Sequence, residues 1–420
     1  MSRLLPDRTL DEITGSRHGG VDAEALATAA AIVARVEAEG VTALESLTVR
    51  FDERPDRLPL FLDRDDLEKA AGELPAGDLD TLERIAGRIE RFANAQRAAL
   101  APLDGVEVAG GRAGHTVAAV EKAGCYAPGG RYPLPSSVLM TAVTARAAGV
   151  AEVWVASPRP APITLAAAAV AGADGLLVAG GAHAVAALAM GAGPLPACDI
   201  VVGPGNRYVT AAKQIVFGRV GIDMLAGPSE LVVLADSTAD PAVVAADLIA
   251  QAEHDPEAFP VLVTTDPGQV RAVRIELESR LVNLPTAGVA RPALEGGGAL
   301  VVADLDEAIA ASNAIAPEHL QLSVADASAL RERLRHYGGL FEGEGSAEVF
   351  GDYGAGPNHV LPTGGTARFT GGLSVLTFLR VRTWLQLDSS SDLVNDTAWL
   401  ARQEGLEGHA RAAELRATEP

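Results

Sequence analysis

The chain has 420 residues, with 34 Lys or Arg against 55 Asp or Glu, a formal charge of −21. A hydrophobic share of 48% supplies core for two or three domains and excludes a disordered acidic chain. The acid excess excludes a binder of the nucleic-acid backbone, which needs a basic face.

The start, Met1-Ser-Arg-Leu-Leu-Pro-Asp, carries no apolar signal segment, so a cytoplasmic location is expected. Leu26, Ala29, Ala30, Val33 and Val36 share one face of a helix predicted over 21–40, which stops at Gly40. Further helices are expected near 65–74 and 78–100, the second with Leu82, Ile85, Ile89 and Phe92 at helical spacing. From 105 the texture changes. Strand-like runs at Thr116–Val120, Glu152–Ala156, Gly175–Val178 and Asp199–Val202 alternate with Ala-rich helices near 136–148, 162–171, 182–190 and 206–217. The alternation resumes with strands at Leu231–Ala235, Val261–Thr265 and Ala299–Ala303, and helices at 241–254, 267–280 and 304–315. Such alternation predicts βαβ units around parallel sheets, hence two α/β lobes meeting near 220–230. After Gly372 come a strand-like Phe378–Trp384, a polar loop, and a last helix near 394–417. The uncharged run Gly175–Cys198 is broken by Gly180, Gly181, Pro194 and Pro196, so no membrane span is expected.

Cys125 and Cys198 are too few for a disulfide framework or a thiolate zinc cage. Among the histidines, His18, His115 and His336 have no reactive company in sequence. Gln251 and His254 end the helix that Asp240-Pro241 opens, and i, i+3 spacing puts both on one face. They suit a metal, or else a solvated helix terminus. Glu318 and His319 enter an apolar run and could shuttle protons near neutral pH; an ordinary helical turn is the alternative. The loop Phe350–Gly365 gathers Asp352, Tyr353, Asn358 and His359 on a glycine-rich frame. Glu404 and His409 sit on the final helix, where a solvated face is the plain reading. Three glycine loops follow strands: Cys125-Tyr126-Ala-Pro-Gly129-Gly130, Gly180-Gly181-Ala-His183 and Gly203-Pro-Gly-Asn206. They suggest a nucleotide at strand carboxyl ends, although Tyr208 stands where the dinucleotide fingerprint needs its last glycine.

Taken together, the segments from about 90 to 417 resemble histidinol dehydrogenases. The carrying motifs are Tyr126-Ala-Pro-Gly-Gly, Pro135-Ser-Ser-Val-Leu-Met140, Gly203-Pro-Gly-Asn206, Gly221-Ile-Asp-Met-Leu-Ala-Gly-Pro-Ser229-Glu230, Gln251-Ala-Glu-His254, Ala316-Pro-Glu-His319, Asn358-His-Val-Leu-Pro-Thr363 and Glu404…His409. The resemblance implies oxidation of L-histidinol to L-histidine via the aldehyde, with two NAD reduced and one zinc per subunit of a homodimer. It implies zinc ligands at Gln251, His254, Asp352 and His409, the last reaching the partner's site, and an acid/base pair at Glu318 and His319. Substrate contacts fall at Ser229, His359 and Glu404 beside the ligands and the acid/base pair, and NAD contacts at Tyr126, His183 and Asn206. His183 replaces the family's usual Gln, Leu134 its Tyr, and Thr141 and Thr144 its Asn and Pro. The expected organisation is an arm over 1–20, one lobe from 21–121 with 231–371, an NAD-binding lobe over 122–230, and an exchanged tail over 372–420. Two rival readings are a zinc- and NAD-dependent dehydrogenase of another polar alcohol and a non-catalytic α/β binder.

Overall fold

The computed structural model describes residues 3–16, 21–51, 58–129 and 132–417, so His18 and Gly130 lie outside it. Two open α/β sheets form the body, as the alternation predicts. The first has six strands in the order Phe61–Asp63, Gly175–Leu177, Glu152–Ala156, Lys122–Tyr126, Ile200–Val202, Gly221–Ile222, parallel except for the first. The second is wholly parallel: Gly298–Val301, Phe259–Thr264, Glu230–Ala235, His319–Ser323, Gly339–Glu342. Local chemistry starts the helices where the sequence places them. Asn206, Asp240, Asp266 and Asp304 each accept a backbone N–H at an N-cap, two of them followed by Pro at the first turn.

A parallel sheet must be covered on both faces, and this requirement regroups the N-terminal helices. Helices Arg64–Gly72 and Ala76–Ala98 join Pro135–Ala148 and Pro162–Val170 on one face of the first sheet. Helices Ala23–Glu39 and Val41–Arg50 join Gly181–Met190 and Arg207–Val216 on the other. Residues 21–98 therefore pack with 122–230, not with 231–371 as the expected organisation has it. The start of the chain joins the second lobe instead. Leu4 and Leu5 share a core with Leu231 and Val233, and helix Leu10–Gly15 lies on Leu305–Ile315.

Thr116–Val120 also departs from expectation. It belongs to strand Gly111–Ala119 of a separate antiparallel sheet, between Leu103–Val108 and Leu379–Leu387. Its alternating exposure fits a sheet covered on one face only. The last helix is two helices, Ser391–Gln403 and Glu407–Glu414, broken at Gly405 with φ +76°. Strand Gly339–Glu342 and helix Ala287–Gly296 were not foreseen. The uncharged run resolves into strand Gly175–Leu177 and helix Gly181–Met190, and no helix among the described residues is long and apolar enough to cross a membrane.

Both sheets reverse their winding once. The first runs from Lys122–Tyr126 outward to Gly175–Leu177, then returns to Ile200–Val202 on the other side; the second repeats this from Glu230–Ala235, returning at His319–Ser323. Reversal opens a crevice between the two strands concerned.

Candidate active site

A cleft of about 690 Å³ lies between the lobes. The first sheet meets it at carboxyl ends, through Pro128 after Tyr126 and Pro204–Asn206 after Val202; the second meets it at amino ends, through Glu318 and His319. Ser229, Gln251, His254, Asp352, Tyr353 and His359 line the same cleft. Segments up to 341 positions apart thus converge on one volume, from residue 22 at one edge to the loop ending at Thr363.

Glu230 holds Glu318 and His319 with its backbone. Parallel pairing sets His319 opposite Leu231, so Glu230 faces Glu318. The Glu230 N–H donates to Glu318 Oε2 at 2.8 Å, and the Glu230 carbonyl lies 3.1 Å from His319 Nδ1. A carbonyl only accepts, so Nδ1 carries the proton and Nε2 keeps its lone pair. That Nε2 is buried without a hydrogen-bond partner among the described residues, 3.8 Å from Asp352 Oδ1. Burial pushes the His319 pKa down to about 4, against the pull of Asp352, so the ring is neutral at pH 7. Burial also raises Glu318 well above the usual carboxylate range, although the Glu230 N–H opposes this. A neutral imidazole with a free Nε2 accepts protons, and a carboxylate with a raised pKa is a strengthened base once ionised.

Around this pair lies a polar set that includes residues sequence reasoning missed. Asp352 Oδ2 stands 3.5 Å from His254 Nε2, and the Asp352 carbonyl lies 2.9 Å from His359 Nδ1. His359 is held below its ordinary pKa by burial. Glu348 is buried, with Oε1 3.7 Å from His319 Nδ1. It lies one helical turn before Asp352 on helix Glu348–Asp352, and that i, i+4 spacing was the available signal. Glu230 Oε1 accepts from the Gly364 N–H at 3.0 Å, and Thr363 Oγ1 accepts from the Gly227 N–H at 2.6 Å, tying the Phe350–Gly365 loop to the cleft. Thr144, at a departure from the family pattern, accepts from Asn358 Nδ2 at 3.1 Å and so braces the residue before His359.

The set fits a divalent cation. Ligand atoms of His254, Glu348 and Asp352 lie within 4.8 Å of one another. Gln251 is fully buried, and among the described residues neither of its amide atoms has a hydrogen-bond partner. An orphaned buried polar group costs about 1–3 kcal/mol, which a bond from its oxygen to a cation would remove. Nitrogen and oxygen donors of this kind suit zinc.

The other expected residues fare differently. Asn206 lines the cleft, but its Oδ1 already accepts from the Tyr208 and Val209 N–H groups, so those donors at the start of helix Arg207–Val216 are taken. Tyr126 is buried, its hydroxyl accepting from the Gly181 N–H at 3.0 Å. His183 is buried against Phe51 at 5.7 Å between ring centroids. Neither Tyr126 nor His183 reaches the cleft wall. Glu404 and His409 are exposed on the C-terminal helices and are not brought to the cleft of their own chain. Cys125 and Cys198 are buried thiols, and burial pushes the first up to about 12; both are inert.

The His319 shift has a measurable consequence for the metal-free protein. Between pH 6.5 and about 4 the unfolded chain takes up a proton that folded His319 does not, so stability falls as pH falls. Glu318 works oppositely, its cost growing as pH rises above 4.5. Comparing denaturant unfolding of wild type and His319→Asn over that window isolates the histidine. The wild type should lose roughly 3 kcal/mol more than the variant; parallel curves would mean the ring is protonated when folded.

Fold and site together define a two-lobed α/β protein with a buried carboxylate–imidazole pair, Glu318 and His319, at the interlobe cleft. The family model described as histidinol dehydrogenase matches residues 16–417. The histidinol dehydrogenase of Thermus thermophilus is 48% identical over 89% of this chain and 92% of its own length. That of Methylococcus capsulatus is 44% identical over 92% and 90%. The crystal structure of histidinol dehydrogenase from Elizabethkingia anophelis superposes with a TM-score of 0.91 at 30% identity, covering 99% of this chain and 98% of that one. The chain belongs to the histidinol dehydrogenase family, and it is an oxidoreductase.

Proposed function

We propose that the chain oxidises L-histidinol to L-histidine through the aldehyde, reducing two NAD, at the end of histidine biosynthesis. The observation that carries this is the Glu318–His319 pair, set by the Glu230 backbone against an acidic, metal-compatible set in one cleft. Each of the two oxidations removes a hydride and a proton from the substrate. In the first, His319 Nε2 accepts the hydroxyl proton. Before the second, Glu318 takes a proton from the water that adds to the aldehyde carbon. Holding the aldehyde in the cleft between the steps protects it from escape.

Gln251, His254 and Asp352 would hold zinc, with Glu348 adjacent. Bound zinc supplies fixed coordination for the amine and imidazole nitrogens of the substrate, so its contribution is orientation. Carboxylates dominate the surroundings, which suits a cationic amino-alcohol and disfavours an acidic one. Ser229 and His359 would contact the substrate, and Tyr126, His183 and Asn206 remain the proposed NAD positions.

Glu404 and His409 are proposed to complete the site of a second copy in a cytoplasmic homodimer. The tail supports this reading. Its two helices pack on each other around Ala398, Ala401 and Ala410, leaving Trp399 63% and Leu400 54% exposed for another surface to cover.

Incubating the zinc-loaded protein with NAD and L-histidinol and counting NADH tests the reading. Two NADH per histidinol are expected. One would mean the reaction stops at the aldehyde, and turnover of a different alcohol alone would overturn the substrate.

A further inference from the structure

Behind the cleft is a buried ion pair that the mechanism does not use. Lys213, on helix Arg207–Val216, contacts Asp223, which follows strand Gly221–Ile222; their side chains are 3% and 0% exposed. Burying two charges costs several kcal/mol per ion before their attraction is counted, so such a pair is weak evidence for stability. Its partners show another use. Lys213 Nζ donates to the Gly203 carbonyl at 3.0 Å, and Asp223 Oδ2 accepts from the Gly203 N–H at 2.7 Å. One pair therefore holds both the N–H and the carbonyl of Gly203. Gly203 sits at φ +120°, where a Cβ would lie 2.0 Å from the Tyr126 carbonyl, so this point has no lateral play.

The same pair grips a second loop. Asp223 Oδ1 accepts from the Met224 N–H at 2.7 Å, and Thr210, on the Lys213 helix, donates from Oγ1 to the Ala226 carbonyl at 2.8 Å. Beyond the grip points both loops turn into the cleft, one as Pro204–Asn206 and the other as Leu225–Ser229. The first leads to the proposed cofactor position Asn206, the second to the proposed substrate position Ser229.

We infer that Lys213 and Asp223 are positioning residues that register the Gly203–Asn206 loop against the Met224–Ser229 loop, so that NAD and histidinol are held at a fixed separation. The inference rests on the proposed function for what the loops bind, but the linkage itself does not.

Two measurements test it. In steady-state kinetics, Lys213→Met and Asp223→Asn should each raise KM for both NAD and histidinol, by about tenfold. A merely structural role would reduce the folded fraction, lowering apparent kcat and leaving both KM values unchanged. Unchanged KM values, or a rise for one substrate alone, overturn the registration. If the single variants do not fold, the double variant Lys213→Met/Asp223→Leu removes the lone buried charge and should show the same paired rise. Amide hydrogen exchange on the unmodified protein needs no substrate. Peptides spanning 203–206 and 224–227 should open with one common free energy, and independent opening overturns the linkage. A wild type that exchanges this way but ignores histidinol would sink the proposed function alone.

Discussion

Replacing His319 with Asn should lower kcat by about 10²–10⁴, the range that a positioned general base contributes. The amide keeps a donor for the Glu230 carbonyl, 3.1 Å from the native Nδ1, so the strand start should stay in place. What is lost is the Nε2 lone pair, the only proton acceptor the ring offers once Nδ1 is engaged. Zinc content should stay at the wild-type level, because His319 is not among the proposed ligands. Single-turnover NADH formation with histidinol, paired with metal analysis of the same sample, checks both halves. Full activity in the variant removes His319 from the mechanism. Lost activity together with lost metal would assign it a structural role at the cation.

Asp352→Asn should be at least as damaging by a different route. Its carboxylate lies 3.5 Å from His254 Nε2 and 3.8 Å from His319 Nε2, so one charge faces both the proposed ligand and the proposed base. The amide keeps the shape of helix Glu348–Asp352, and its backbone carbonyl can still hold His359 Nδ1 at 2.9 Å. Removing the charge should weaken zinc retention by at least about 100-fold, since partners outside the first ligand sphere alone contribute 10–100-fold. Dialysis followed by metal analysis should find the variant stripped under conditions where the wild type keeps its metal, and added zinc should restore only a fraction of turnover. A variant that keeps zinc and loses only rate would move Asp352 from ligand to proton chemistry.

The parts of this site that local rules govern were legible in the sequence. Asp240-Pro241 opens a helix as expected, but it ends at Ala252, so Gln251 stands on its last turn and His254 in the turn beyond, and both line the cleft. Glu318-His319 stood out as a titratable pair at the head of an apolar run. What makes it a catalytic candidate was not legible. The pair is built by strand His319–Ser323 docking beside Glu230–Ala235, a pairing across 89 positions that no window of sequence contains. Glu348 escaped because the loop reading began at Phe350, which cut a five-residue helix in two. The glycine loops were recognised and read as a nucleotide site, but Tyr126 already accepts from the Gly181 N–H and Asn206 from the Tyr208 and Val209 N–H groups that open the next helix. Helices 21–98 were read as helices and assigned to the wrong lobe. Helical periodicity reports that a face is apolar, not which sheet it covers.

The opposite polarity of the two sheets at the cleft also decides where the chain is free to change length. In the second lobe the proposed chemistry lies at the amino ends of Glu230–Ala235 and His319–Ser323. The turns at the carboxyl ends, Ser237–Thr238, Ala303–Asp304 and Ala325–Asp326, are exposed and lie on the far edge of that sheet. In most doubly wound proteins those turns carry the ligand and tolerate little. Here they carry none of the proposed site, which makes the exposed Ser237–Thr238 turn, away from the Asp304 helix cap, the natural point for a grafted epitope or a spectroscopic label that leaves turnover intact.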